Sequence, residues 1–159
     1  MCQLNQDDKN IVFMETFQIQ ELRKEDYFHG FLELLEQLTI VDAKSISFDD
    51  FSRRFNDINS VVYVIHDPND PKKIIGTASL VFEKKFIRKL STVAHIEDVV
   101  VDKAFRGKGL GILLIKKLVE VSKNHGCYKV ILDCSEKNEA FYEKIGFKKK
   151  EIQMALYFK

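Results

Sequence analysis

Tryptophan is absent from the 159 residues, and proline occurs only twice. Both prolines, Pro68 and Pro71, fall in the run HDPNDP (66–71). One turn is marked there, and no proline breaks any other stretch. The three cysteines, Cys2, Cys127 and Cys134, are odd in number and show no CxxC spacing. That argues against a disulfide framework or a cysteine zinc site and fits a reducing compartment. Neither charge dominates: the net charge is +1, so no electrostatic field points to nucleic acid or a membrane surface. No apolar run approaches membrane-spanning length. The opening MCQLNQDDKN is polar and acidic, unlike a signal peptide, and Cys2 stands where myristoylation needs glycine. The expectation is a cytoplasmic protein with no nucleic-acid partner and no membrane span.

What is present suits an ordinary globular domain: 45% apolar and 31% charged residues can build one core at this length. Residues 1–14 are expected as a flexible tail and 15–159 as a single domain. TFQIQELR (16–23) alternates like a strand. From Asp26, Phe28, Phe31, Leu32, Leu35 and Leu38 recur at helical steps. Ser47 precedes a shorter amphipathic helix carrying Phe48, Phe51 and Phe55, a core-packing stripe. Strands are expected at 60–65, at 72–85 with Gly76 at a bulge, and at 91–101. Their short connections favour an antiparallel meander. A helix follows at about 109–123, where Leu110, Leu114, Leu118 and Val121 form one stripe that Ile115 and Val119 widen, and Gly126 ends it. YKVILDC (128–134) reads as a buried strand and 135–144 as a short helix. FKKKEIQMALYFK at the end reads as two short strands.

The stretch with most chemical content is AFRGKGLGILLIKK (104–117). Glycines just before an apolar helix expose backbone N–H groups to an anion. A P-loop is excluded, because Lys108 lies between glycines and no hydroxyl follows. A dinucleotide fingerprint fits poorly: the spacing is GxGxG, and it follows three strands that read as antiparallel. A structural turn with glycines chosen for positive φ stays open on these residues alone.

Arg106, Gly109 and Gly111 match the Arg/Gln-x-x-Gly-x-Gly/Ala signature, and the segment resembles the GNAT acyltransferases. The order of elements over 16–158 is also similar to theirs. Within that superfamily HIEDVVV (95–101), RGKGLG (106–111) and GCYKVILDCSEKNEAFYEKIGF (126–147) resemble the branch that acetylates glucosamine 6-phosphate. The resemblance implies an α/β GNAT fold, with a mixed, mostly antiparallel central sheet flanked by helices. It implies acetyl-CoA as cosubstrate, an amino sugar phosphate as acceptor, direct attack without a metal, and a homodimer whose sugar site draws on both chains.

Residue by residue, the resemblance gives Arg106, Gly107, Lys108, Gly109, Leu110 and Gly111 to the coenzyme pyrophosphate. The backbone of Val99, Val100 and Val101, with Asn138 and Tyr142, goes to the pantetheine arm, and Tyr142 also to the leaving thiolate. Glu97, Asp98, Tyr128, Lys129 and Asp133 contact the sugar, and Thr39, Lys85 and Arg88 its phosphate. Glu97, Asp133 and Tyr142 are the catalytic set, with the base left open between Glu97, Asp133 and a water. Each has a structural alternative: Glu97 and Asp98 as solvated acids at an exposed strand end or bulge, Asn138 as a helix cap, Asp133 as a turn aspartate, Tyr142 as a packing ring, and the cations of 83–90 as a solvated loop. Strand alternation puts Glu97 and Asp98 on opposite faces. His95 and His125 carry no motif. The sequence departs from the branch near its end, where Tyr157 stands in place of a phosphate-binding arginine. Two other functions stay open at this point: acetylation of a protein or polyamine amine, and a non-catalytic acetyl-CoA-binding domain.

Overall fold

The structure is a computed structural model and describes residues 17–158; the expected tail lies outside them. Five strands form one sheet in the order β1-β2-β3-β4-β5. They are β1 (Ile19–Glu21), β2 (Ser60–Asp67), β3 (Asp70–Lys84), β4 (Thr92–Val101) and β5 (Cys127–Leu132). The first four are antiparallel neighbours, and β5 runs parallel to β4. The helices are α1 (Phe31–Leu35), α2 (Phe48–Asp57), α3 (Leu110–Asn124) and α4 (Glu136–Glu143), and one further turn, Ile87–Leu90, holds left-handed residues inside it. The parallel β4–β5 pair needs a crossover, and α3 supplies it.

β2 shows why the sheet is covered on both faces. Tyr63 and Ile65 belong to one apolar cluster, Val62 and Val64 to the other, as a period of two requires. On the first face Leu110, Leu114, Ile115 and Leu118 of α3 are almost wholly buried. Each such side chain is worth about 1.5–3 kcal/mol, so α3 is firmly seated. On the second face Phe31 and Leu34 of α1 and Phe51 of α2 meet Val62, Val64 and Ile74. Ser47 caps α2 by accepting from the Asp50 amide at 3.1 Å. The β2–β3 register shifts beside Gly76, close to the expected bulge.

Three expectations need correction. The helix from Asp26 is not continuous. Lys24–His29 is a 3-10 turn, Gly30 sits at φ 76°, and only then does α1 begin; Phe28 is left 67% exposed. β5 is not a buried strand: it is the sheet's edge, with Tyr128 and Lys129 exposed. Residues 148–158 form no strand and are exposed throughout. The last two corrections share a cause. With no C-terminal strand on its outer side, β5 has one neighbour only among the described residues.

Candidate active site

β4 and β5 pair as far as Ile96 and Leu132. β5 stops there, while β4 continues to Val101, still paired to β3 through Val100 and Val101. The two strands therefore fork, and the β5-facing backbone of β4 beyond Ile96 has no strand partner. Free groups on a strand edge accept an extended chain, and Val99 and Val101 lie on that edge.

At the fork the β3–β4 register slips. Ser79 faces Glu97 and Thr77 faces Val100, so two steps on β3 span three on β4. Asp98 takes a left-handed φ of 51°, a strained conformation for a side chain that bulges near functional sites often hold. The bulge breaks the alternation expected for Glu97 and Asp98, and both are exposed. Partial burial of its carboxyl pushes Glu97 above the usual carboxylate range; the Asp98 and Asp133 charges push the same way, and His95 opposes them. Two further carboxylates, Asp98 and Asp133, thus act on Glu97 where the strands part. Asp133 follows the end of β5 and accepts a hydrogen bond from Gln153 Nε2 at 2.8 Å.

Sequence reasoning passed over His95 and Gln153. His95 Nε2 lies 2.9 Å from Glu83 Oε2, and the period of two that puts His95 on the side of Glu97 is legible in HIE. Nothing in the sequence signals Gln153, which reaches Asp133 across 20 residues.

Tyr142 of α4 is half-buried. Its ring stands edge-on to Phe141 at 4.9 Å and to Phe147 at 6.1 Å. Burial pushes its phenol upward, with Cys134 adding to the effect, so the hydroxyl stays protonated and able to donate. The helix-cap alternative for Asn138 does not hold. Ser135 occupies the N-cap position of α4, the Asn138 amide donates to its carbonyl at 2.8 Å, and Asn138 is exposed.

The glycine loop joins the end of β4 to α3. Gly107 and Gly109 take φ 77° and 83°, which favours glycine at both. Gly109 is the N-cap residue of α3, and no side chain caps this helix start. Its first amides are therefore open to an anion. That arrangement fits the coenzyme pyrophosphate. Gly111 has a packing role as well: an added Cβ would lie 3.1 Å from Phe141 Cζ, so glycine lets α4 close against the first turn of α3. Arg106 Nε donates to the Val101 carbonyl at 3.0 Å, tying the loop to β4. Lys108 Nζ lies 4.7 Å from the Phe105 ring centre.

The expected phosphate residues gather elsewhere. Arg88 stands over the Tyr128 ring at 5.2 Å, with Lys129 Nζ at 5.7 Å from the same ring. Lys85 pairs with Glu83. Arg88, Lys89 and Leu90 all take left-handed φ, which folds this loop back into β4. Lys129 and Asp133 are four residues apart along the chain, roughly 13 Å in extended backbone. Within one chain, then, the cations stand at the start of β5 and the carboxylates at its end. Thr39 is exposed after α1, beside a surface recess lined by Glu36, Leu38 and Ile40.

The model of the acetyltransferase (GNAT) family matches residues 17–147. The glucosamine 6-phosphate N-acetyltransferase of Arabidopsis thaliana is 48% identical over 149 residues, 91% of this chain and 98% of that protein. That of Dictyostelium discoideum is 45% identical over 84% of this chain and 85% of its own length. A crystal structure of the Arabidopsis thaliana enzyme superposes with a TM-score of 0.85 at 46% identity, covering 90% of this chain and 99% of that one.

Proposed function

The chain belongs to the acetyltransferase (GNAT) family, and from that premise we propose that it transfers acetyl from acetyl-CoA to the amine of D-glucosamine 6-phosphate. The observation that carries the reading is the fork: Glu97, Asp98 and Asp133 stand where β4 leaves β5, and the loop that follows β4 leads to a helix start with no side-chain cap. The named relatives supply the substrate.

The roles we propose are those the resemblance implies, and the geometry supports them. The coenzyme supplies an activated acyl thioester. The amides of Gly109, Leu110 and Gly111 hold its pyrophosphate, with Arg106, Gly107 and Lys108 around it. The edge of β4 at Val99, Val100 and Val101, with Asn138, lines the path from there to the fork. An amino sugar brings its nitrogen partly as an ammonium, which cannot attack. Glu97 is the base we assign, because it stands at the fork beside Asp98 and Asp133, where partial burial and their charges raise its affinity for a proton. Asp98 and Asp133 hold the cation and the sugar hydroxyls. Tyr142 donates its phenolic proton to the departing sulfur. These steps leave Asp26, His29 and His66 unused.

We place the sugar phosphate on Arg88, Lys85, Tyr128, Lys129 and Thr39 of a second copy of the chain. The distance along β5 between cations and carboxylates in one chain supports this. So does the C-terminal segment, where Ile152, Met154, Leu156 and Phe158 alternate at 79–91% exposure while the outer edge of β5 stands free. A homodimer in which that segment covers the edge of a partner brings the two clusters together. Acetyl-CoA consumption across amino sugars, their 6-phosphates and lysine peptides tests the acceptor; a preference for a peptide would overturn it. Glu97→Gln and Arg88→Ala, each inactive alone, should recover activity when refolded together. Failure to recover it would put both residues in one chain's site.

A further inference from the structure

We propose that Asp26, His29 and His66 form a zinc site, separate from the acetyl-transfer centre. It joins the 3-10 turn after β1 to the end of β2. Asp26 is 2% exposed, and a buried carboxylate needs a compensating charge. Its Oδ2 accepts from the Arg23 amide at 2.8 Å. Its Oδ1 lies 3.1 Å from His29 Nδ1 and 3.2 Å from His66 Nε2. All three ligand atoms fall within 4.8 Å of one another.

The state of His66 argues for a metal over a proton. His66 Nδ1 is 2.7 Å from the Pro71 carbonyl. A carbonyl only accepts, so Nδ1 carries a hydrogen and neutral His66 keeps its lone pair on Nε2. Nε2 is buried, and despite its 3.2 Å approach it has no hydrogen-bond partner: it is off the line that a donated proton requires. The lone pair of Nε2, which lies along that same direction, is therefore aimed beside Asp26 Oδ1 and not at it, as two ligands of one shared ion are.

Zinc suits the donors and the spacing. It takes imidazole nitrogen and carboxylate oxygen at about 2.0–2.2 Å in a tetrahedron, whose ligands then stand roughly 3.3 Å apart. The two distances to Asp26 Oδ1 are close to that edge. The Pro71 carbonyl fixes the ring of His66 as an outer partner of a metal ligand does. Water completes the coordination. Two strands separate β2 from the free edge of β4, so the ion is a clip between the N-terminal turn and the β2–β3 hairpin.

The test uses the untagged full chain, stripped with a chelator and dialysed, and titrated with zinc against a chromophoric competitor. One zinc per chain and a raised Tm are expected. His66→Gln should weaken zinc binding by more than about a hundredfold, beyond what losing an outer partner costs. His125→Gln, whose ring stacks on Phe82 at 3.9 Å, should leave it unchanged. If His66→Gln does not fold, cobalt in the wild type decides: intense visible bands of a four-coordinate nitrogen–oxygen site support the assignment. Absence of stoichiometric zinc, unaltered binding in His66→Gln, a thiolate charge-transfer band or a weak six-coordinate cobalt spectrum would each overturn it.

Discussion

The half of the sheet built from β1, β2 and β3 and the half built from β4 and β5 follow different rules. In the first, β2 and β3 pair over most of their length and are packed on both faces: Val64, Ile65, Ile75, Ala78 and Leu80 are wholly buried. In the second, pairing stops at Ile96 and Leu132, β5 lacks an outer neighbour, and Asp98 and Arg88 hold left-handed conformations. The residues to which we assign the chemistry gather in the half where backbone groups are left over. A fully paired sheet has no free amide to offer a ligand, while a fork has several.

The widest separation between the halves should come from Glu97→Gln. It keeps the shape and removes the carboxylate we assign as base, so kcat is expected to fall by about 100- to 10,000-fold with little change in thermal stability. In the wild type kcat/KM should decline as the pH falls through a value above the ordinary carboxylate range, because Glu97 holds its proton more tightly there. Steady-state rates and Tm over a pH series check both. A large loss of stability with an unchanged rate would erase the distinction.

Leu114→Ala strikes the packed half. It empties a fully buried site and should cost about 2–5 kcal/mol. Val130→Ala on the half-buried β5 should cost about 1 kcal/mol. Urea unfolding compares them, and equal costs would mean that β5 is as well anchored as the core.

Tyr142→Phe removes only a hydroxyl. A fall in kcat of about ten- to a thousandfold, with either KM nearly constant, fits a proton donor to sulfur. An unchanged kcat, with chemistry limiting, would return Tyr142 to a packing role beside Phe141 and Phe147.

The smallest effect is the most diagnostic. Gly30 and Gly107 share a left-handed φ, 76° and 77°, and an added Cβ at either meets nothing within 4 Å. Alanine at each should therefore cost about 1 kcal/mol. Only Gly107→Ala should raise the KM for acetyl-CoA. Calorimetric binding of acetyl-CoA to both variants settles whether the loop belongs to the coenzyme.

Much of the fold was legible before any coordinates. The α3 stripe of Leu110, Leu114 and Leu118, the meander of β2 to β4 and the Ser47 cap depend on local period and short connections, which a sequence displays. The break at Gly30 was not read from the pattern, because Phe28, Phe31 and Leu35 keep helical spacing across it. The C-terminal strands were misread for a different reason. Alternation in EIQMALYF is real, but a strand also needs a neighbour, and this chain alone offers that segment none.

The same division holds for the site. Sequence by itself determined which residue types could do the chemistry: the glycine loop before a helix, the acids in HIEDVVV, the tyrosine in NEAFYEK. Their order along the chain carried the family resemblance. Only the tertiary structure decided that β4 and β5 part after Ile96 and that a bulge turns Asp98 out of alternation. It also brought His66 to Asp26 and set the cations of β5 apart from the carboxylates. Each of these depends on the register between segments far apart in sequence. Register is fixed by the packing of whole faces, which no local pattern encodes.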